Sequence, residues 1–264
     1  MLKTSRALLL TTLACTAIFA FALIPAISQA TPINYGDFDG TTVMYLDVTE
    51  DSVTDNTPLF GAPTISGDAL DFNPIGFGAF ASGAGGNDMT DGQLFFMIQA
   101  KQGQGINTVL LSEAGDTGLA GFGTDATYTE VKGLVTVDIL ATNVGPVSIN
   151  HQASMSFSPS GGTYGLGTDG GGGPSYSTNW TGGVLLDIGA ILVQNGITGQ
   201  TATKVNINLD NKLLALSQEG TSATIAKKDF DSSAVTIKVN DIPEPTTALL
   251  AMIGMLALTC RRQA

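Results

Sequence analysis

Two cysteines, one histidine and one tryptophan are all that the 264 residues contain, and positive charge is scarce as well: 11 Lys and Arg stand against 23 Asp and Glu, a net charge of -12. Each shortage closes a route. No cluster of Cys and His is available for a structural zinc site. His151 has no second histidine to share a catalytic relay, and no serine sits in a Gly-x-Ser-x-Gly turn, which argues against the common serine and cysteine hydrolases. The dipeptide Gly-Lys is absent, so no phosphate-cradling P-loop exists. An acidic chain repels phosphate backbones, which excludes nucleic acid as the natural partner. Glycine is plentiful, at 33 residues, but without the every-third-residue period of collagen. With 43% hydrophobic residues the chain has enough apolar surface to fold.

Long apolar runs occur only at the two ends. Lys3 and Arg6 precede an apolar run from Ala7 to Ile27, interrupted by Pro25, and Ser28-Gln29-Ala30 leads into Thr31. This is the layout of a secretory signal peptide, residues 1–30, with cleavage expected between Ala30 and Thr31; an uncleaved anchor is the alternative. Leu13-Ala14-Cys15 imitates a lipoprotein signal, but Thr12 stands where Leu is expected and the apolar run continues past Cys15. At the other end, Pro243-Glu244-Pro245 precedes an apolar stretch from Thr246 to Cys260, then Arg261-Arg262. Fifteen helical residues reach roughly 22 Å against a hydrocarbon core of about 30 Å, a short transmembrane helix that must thin the bilayer or let its arginines snorkel. The prolines keep the preceding segment extended and accessible, and the basic pair holds the far side in the cytoplasm.

Pro243, Glu244 and Pro245, the short apolar segment and the terminal Arg261 and Arg262, in that order behind an export signal, resemble the PEP-CTERM sorting signal of Gram-negative bacteria. The resemblance covers residues 243–264. It implies recognition by an exosortase in the inner membrane, removal of the tail, and release or transfer of the remainder to the cell surface or the exopolysaccharide matrix. Signal peptidase and exosortase are then the processing partners, and the membrane is a transient one. The alternative is an ordinary tail anchor.

Between the ends, residues 31–242 hold seven Lys, no Arg and 22 acidic residues, a net charge of -15, and no cysteine, since Cys15 and Cys260 lie in the terminal segments. A domain of this size needs no disulfide to bury a core. Short runs rich in β-branched and aromatic residues predict strands at 42–48, 94–98, 107–111, 134–140, 147–157, 203–209, 212–216 and 234–239. Glycine-rich loops are expected at 83–91 and 161–174. Val184 to Val193 places apolar residues at helical intervals, with Gly196 available as a stop, so a short crossover helix is expected there; a strand is the alternative. The fold class is all-β, an antiparallel β-sandwich, jelly-roll-like, with that one helix.

Candidate site residues are few. Trp180 offers a ring on which a sugar could stack, with core packing as the competing role. Calcium suits an acidic exported domain, with Asp37, Asp39 and Asp169 as its candidate ligands. Asp37-Phe38-Asp39-Gly40 opens like a calcium loop but lacks the later ligands, and the pattern Gly-x-Gly-Thr-Asp at 121–125 and 165–169 occurs twice without tandem repeats. Paired carboxylates could hydrolyse glycosides, but spacing in sequence does not reveal which of them face each other. The reading that follows is an exported, non-catalytic structural or adhesive protein without a required cofactor. A carbohydrate-binding module, calcium-stabilised or not, is the alternative, and a carboxylate glycosidase is the third.

Overall fold

A computed structural model describes residues 31–228 and 235–240. The signal segment with Ala30, and the tail with Pro243, Glu244, Pro245, Arg261 and Arg262, lie outside the described residues. Within them the chain forms β1 (Ile33–Asp39), β2 (Val43–Ser52), β3 (Thr64–Ser66), β4 (Ala69–Phe72), β5 (Gly78–Ser82), β6 (Gly86–Ala100), β7 (Thr108–Ala120) and β8 (Tyr128–Thr142). It continues with β9 (Pro146–Ser154), β10 (Ser156–Ser158), β11 (Thr163–Gly165), β12 (Ser175–Asp187), helix α1 (Ile188–Gln194), β13 (Ala202–Ser217), β14 (Ser222–Lys227) and β15 (Val235–Val239).

All pairings are antiparallel, and the strands form two sheets. One has seven strands, in the order β1-β2-β6-β13-β8-β11 with β9 also on β8. The other has eight, in the order β10-β12-β7-β15-β4-β3, with β14 between β7 and β5. Side chains alternate across a strand, so every second residue of a long strand reaches the interior. β13 shows this along its length: Val205, Ile207, Leu209, Leu213 and Ala215 are buried, and Lys204, Asn206, Asn208, Asp210 and Lys212 are not. The two inner faces share one core, to which one sheet brings Leu94, Phe96, Val135 and Ile207 and the other Leu111, Leu119, Trp180 and Ile225. Burying each large apolar side chain of this kind contributes roughly 1.5–3 kcal/mol.

The expected antiparallel all-β architecture is what forms, with longer strands than local composition suggests. The segments 203–209 and 212–216 are one strand, β13, because Asp210 and Asn211 continue its alternation and pair with both β6 and β8. The segment 147–157 is two strands, β9 and β10, which belong to different sheets. The expected loop at 83–91 is corrected: only 83–85 turn, where Gly83 and Gly85 have φ of +77° and +70°, and Gly86 already begins β6. Likewise 161–174 contains β11, paired with β8. The ambiguous stretch 184–193 is both things in succession. Val184 to Asp187 complete β12, then Asp187 caps α1 by accepting the Ala190 N–H at 2.8 Å, and Gly196 follows at φ +79°. The helix thus carries the chain from the eight-stranded sheet to the centre of the seven-stranded one.

Candidate functional site on the outer face of the seven-stranded sheet

The strands β6, β13, β8 and β9 lie side by side, and their register stacks outward-facing residues into rows. Phe95, Asn208, Thr136 and Gln152 form one row; Met97, Asn206, Asp138 and Asn150 form the next. On the other side come Gln93, Asp210, Leu134 and Ser154, then Asp91, Lys212 and Lys132. Neighbouring strands are about 4.8 Å apart and alternate residues along a strand about 7 Å apart, so this face is a regular grid of hydrogen-bonding groups.

Two depressions open on this face. One, of about 540 Å³, is bordered by Asp91, Glu130, Lys132, Leu134, Asp210 and Lys212. The other, of about 360 Å³, is bordered by Phe95, Met97, Asp138, Asn206 and Asn208. Asp210 and Asn208 are alternate residues of β13, so the depressions are neighbours along that strand. Phe95 and Leu134 are 36% and 37% exposed, and with Met97 they supply apolar surface between the polar rows.

The polar groups are partly organised already. Asn150 Nδ2 donates to Asp138 Oδ1 at 2.8 Å and Gln152 Nε2 to Thr136 Oγ1 at 3.2 Å. Asn208 Oδ1 and Asp91 Oδ1 are buried acceptors without a hydrogen-bond partner. Burial first, and the neighbouring Asp210 second, push the Asp91 carboxyl above its ordinary value of 3.8, against the opposing pull of Lys212. Chemically the face offers amides, carboxylates, two ammonium groups and a modest apolar strip, a set that suits a neutral polyhydroxylated ligand.

The residues singled out from the sequence lie elsewhere. Trp180 is 1% exposed on the inner side of β12, edge-to-face with Phe157 at a ring separation of 5.9 Å, so the expectation of a sugar-stacking ring is corrected: it is a core residue. Gly115 on the paired strand β7 makes room for it, since a Cβ at that position would overlap the indole and the Ala226 carbonyl. Asp39 is paired with Lys101 Nζ at 2.6 Å, and Asp37 accepts the Asp47 N–H at 2.9 Å. Asp169 accepts from the Gly165 N–H at 2.7 Å and the Ser160 hydroxyl at 2.8 Å. Among the described residues no three or more Asp, Glu, His or Cys gather as a metal site would require. The two Gly-x-Gly-Thr-Asp segments come together instead: Asp125 of the first accepts the Thr168 N–H and hydroxyl of the second, which holds its carboxyl below the ordinary value. A side chain at Gly165 or Gly167 would strike that carboxylate. His151 lies on β9 opposite Val137.

Two interior groups escaped the sequence reading. Glu50 is fully buried and accepts from the backbone N–H groups of Leu59, Phe60 and Gly61 and from the Tyr35 hydroxyl, tying the segment at 59–61 to β2. Glu113 and Lys227 form an ion pair at 2.6 Å with both side chains fully buried. The signal for the second was present in the alternation: Ala223, Ile225 and Lys227 share one face of β14, as Leu111 and Glu113 share one face of β7.

No family model matches the chain, and no curated protein matches it. Among solved structures, it is similar to the enzymatically active domain of bacteriophage CBA120 tailspike protein 4, with 13% identity, 81% of this chain and 20% of that chain covered, and a TM-score of 0.20. The chain thus spans about a fifth of that tailspike's length. It is also similar to a mutant of ENZbleach xylanase, with 11% identity, 71% and 86% covered, and a TM-score of 0.22.

Proposed function

We propose that this chain is an exported bacterial surface or matrix protein that acts without catalysis, adhering to polysaccharide through the outer face of its seven-stranded sheet. The observation that carries the reading is the grid itself: four strands in register present Asn206, Asn208, Asp138, Asn150 and Gln152 around Phe95 and Met97 on one continuous face. Export and sorting rest on the signal-like residues 1–30 and on the PEP-CTERM-like tail. Together they support export to a setting where polysaccharide is the abundant polymer. A jelly-roll-like winding is favoured because consecutive long strands alternate between sheets, from β6 to β7 to β8 and again from β12 to β13 to β14.

Retention of the exported protein on immobilised polysaccharides tests the reading. Specific retention, abolished in Asn206→Ala/Asn208→Ala, is expected; retention unaffected by that double substitution, or none on any glycan, overturns it. Mass measurement on the exported protein should show a chain that begins at Thr31 and lacks the apolar tail. A second reading, glycoside hydrolysis, is favoured by Asp91, whose raised carboxyl lies near Asp210 in one depression, the environment a general acid needs. Release of reducing ends that disappears in Asp91→Asn would replace adhesion by catalysis.

A further inference from the structure

The interior of the eight-stranded side holds a reactive pair that adhesion does not use. Lys227 Nζ lies 2.6 Å from Glu113 Oε2, with neither side chain exposed. Apart from this approach to each other, Glu113 Oε1, Glu113 Oε2 and Lys227 Nζ have no hydrogen-bond partner. The rings of Phe77, Trp180 and Phe60 surround the amine at 5.0, 5.7 and 5.9 Å. Neither side chain has solvent-exposed surface in the folded chain. We infer that Glu113 and Lys227 condense into a side-chain amide that cross-links β7 to β14.

The chemistry balances without any co-reactant. A proton passes from the Lys227 ammonium to a Glu113 carboxylate oxygen 2.6 Å away; burial disfavours the charged amine, although the nearby carboxylate opposes it. The nitrogen lone pair then attacks Cδ of Glu113, forming the N–C bond and a tetrahedral centre. On collapse one C–O bond breaks, and that oxygen leaves as water with its own proton and one from the nitrogen. Nothing is oxidised or reduced. The product replaces two buried charges by one neutral amide, and the water formed escapes to solvent because the aromatic enclosure offers it too few hydrogen-bonding partners to be held. The cross-link closes the chain over the segment from 113 to 227 in a domain that has no cysteine between residues 31 and 242. It therefore supplies covalently what a disulfide supplies elsewhere.

Tryptic peptide mapping of the full chain, purified folded and then denatured, tests this. Trypsin does not cut after an acylated lysine, so a branched species is expected in which 102–132 is joined to 213–228 and the total is lighter than the two peptides by one water. Fragmentation should locate the junction at Glu113 and Lys227. Recovery of linear 102–132 and of 213–227 as the main products from folded wild-type protein overturns the inference. Lys227→Met should give linear 102–132, and a branched species surviving in that variant would equally overturn it. The wild-type result decides the matter even if the variant does not fold.

Discussion

Lysines and carboxylates meet at several places in this molecule, and two of them behave differently. On the outer face of the seven-stranded sheet, Asp210, Lys212 and Lys132 border an open depression beside the half-buried Asp91, where solvent screens the exposed charges and Lys132 pairs with Glu130 at 2.8 Å. Inside the eight-stranded half, Glu113 and Lys227 meet against three aromatic rings with no solvent at all. The residue types are the same, and strand alternation alone decides which environment each receives. Parity thus sets where a charge sits: the inward Glu113 and Lys227 can meet only each other, while outward charges stay at the surface, some of them, such as Asp37 and Asp39, already engaged by neighbours.

The comparison breaks most visibly inside. Glu113→Ala, which removes the cross-link and strands the Lys227 ammonium among Phe60, Phe77 and Trp180, should cost about 3–5 kcal/mol or more in urea unfolding, whereas Glu113→Leu/Lys227→Met should recover only the part due to the stranded charge, since it too lacks the cross-link. Trp180→Ala should cost about 3–5 kcal/mol because it empties the space that Gly115 leaves open. The folded fraction of that variant should keep its polysaccharide retention, since the ring is not on the binding face. On the outer face the pattern reverses: Asn206→Ala/Asn208→Ala should abolish retention while changing stability by only about 0.5 kcal/mol for each residue. The smallest effect concerns acid. Asp91 binds its proton more tightly in the folded state than unfolded, so the Asp91 contribution to stability should fall as pH rises past 3.8 through the raised value, and Asp91→Asn should flatten that part of a melting-temperature profile.

How much of this was legible in the sequence follows from the range of each interaction. Val135, Thr136 and Val137 of β8 announce a strand by their own composition, and Ile188 to Val193 announce helical spacing, because both signals are local. β12 was partly hidden, since Ser177, Asn179 and Gly183 alternate with inward residues only when β7 supplies the partner rows. Gly86 to Asp91 read as a loop because glycine, asparagine and aspartate disfavour isolated strands. Pairing with Lys212 to Ser217 overrides that preference. The binding face was not legible, because Phe95, Asn208, Thr136 and Gln152 come from four strands and only the register sets them side by side. Trp180 drew notice as the single tryptophan, but rarity of a residue type carries no information about burial.

The last described strand has a mechanical consequence. β15 lies between β7 and β4, hydrogen-bonded to both, with Val235 opposite Glu113 on one side and Phe72 on the other. Asn240, which follows it, donates its backbone N–H to the Thr108 carbonyl and its side-chain amide to the Gly105 carbonyl. A pull arriving from the C-terminal side therefore runs along a strand held on both edges. It must shear two ladders at once instead of peeling one bond at a time, so the last described strand is a firm handle on the domain.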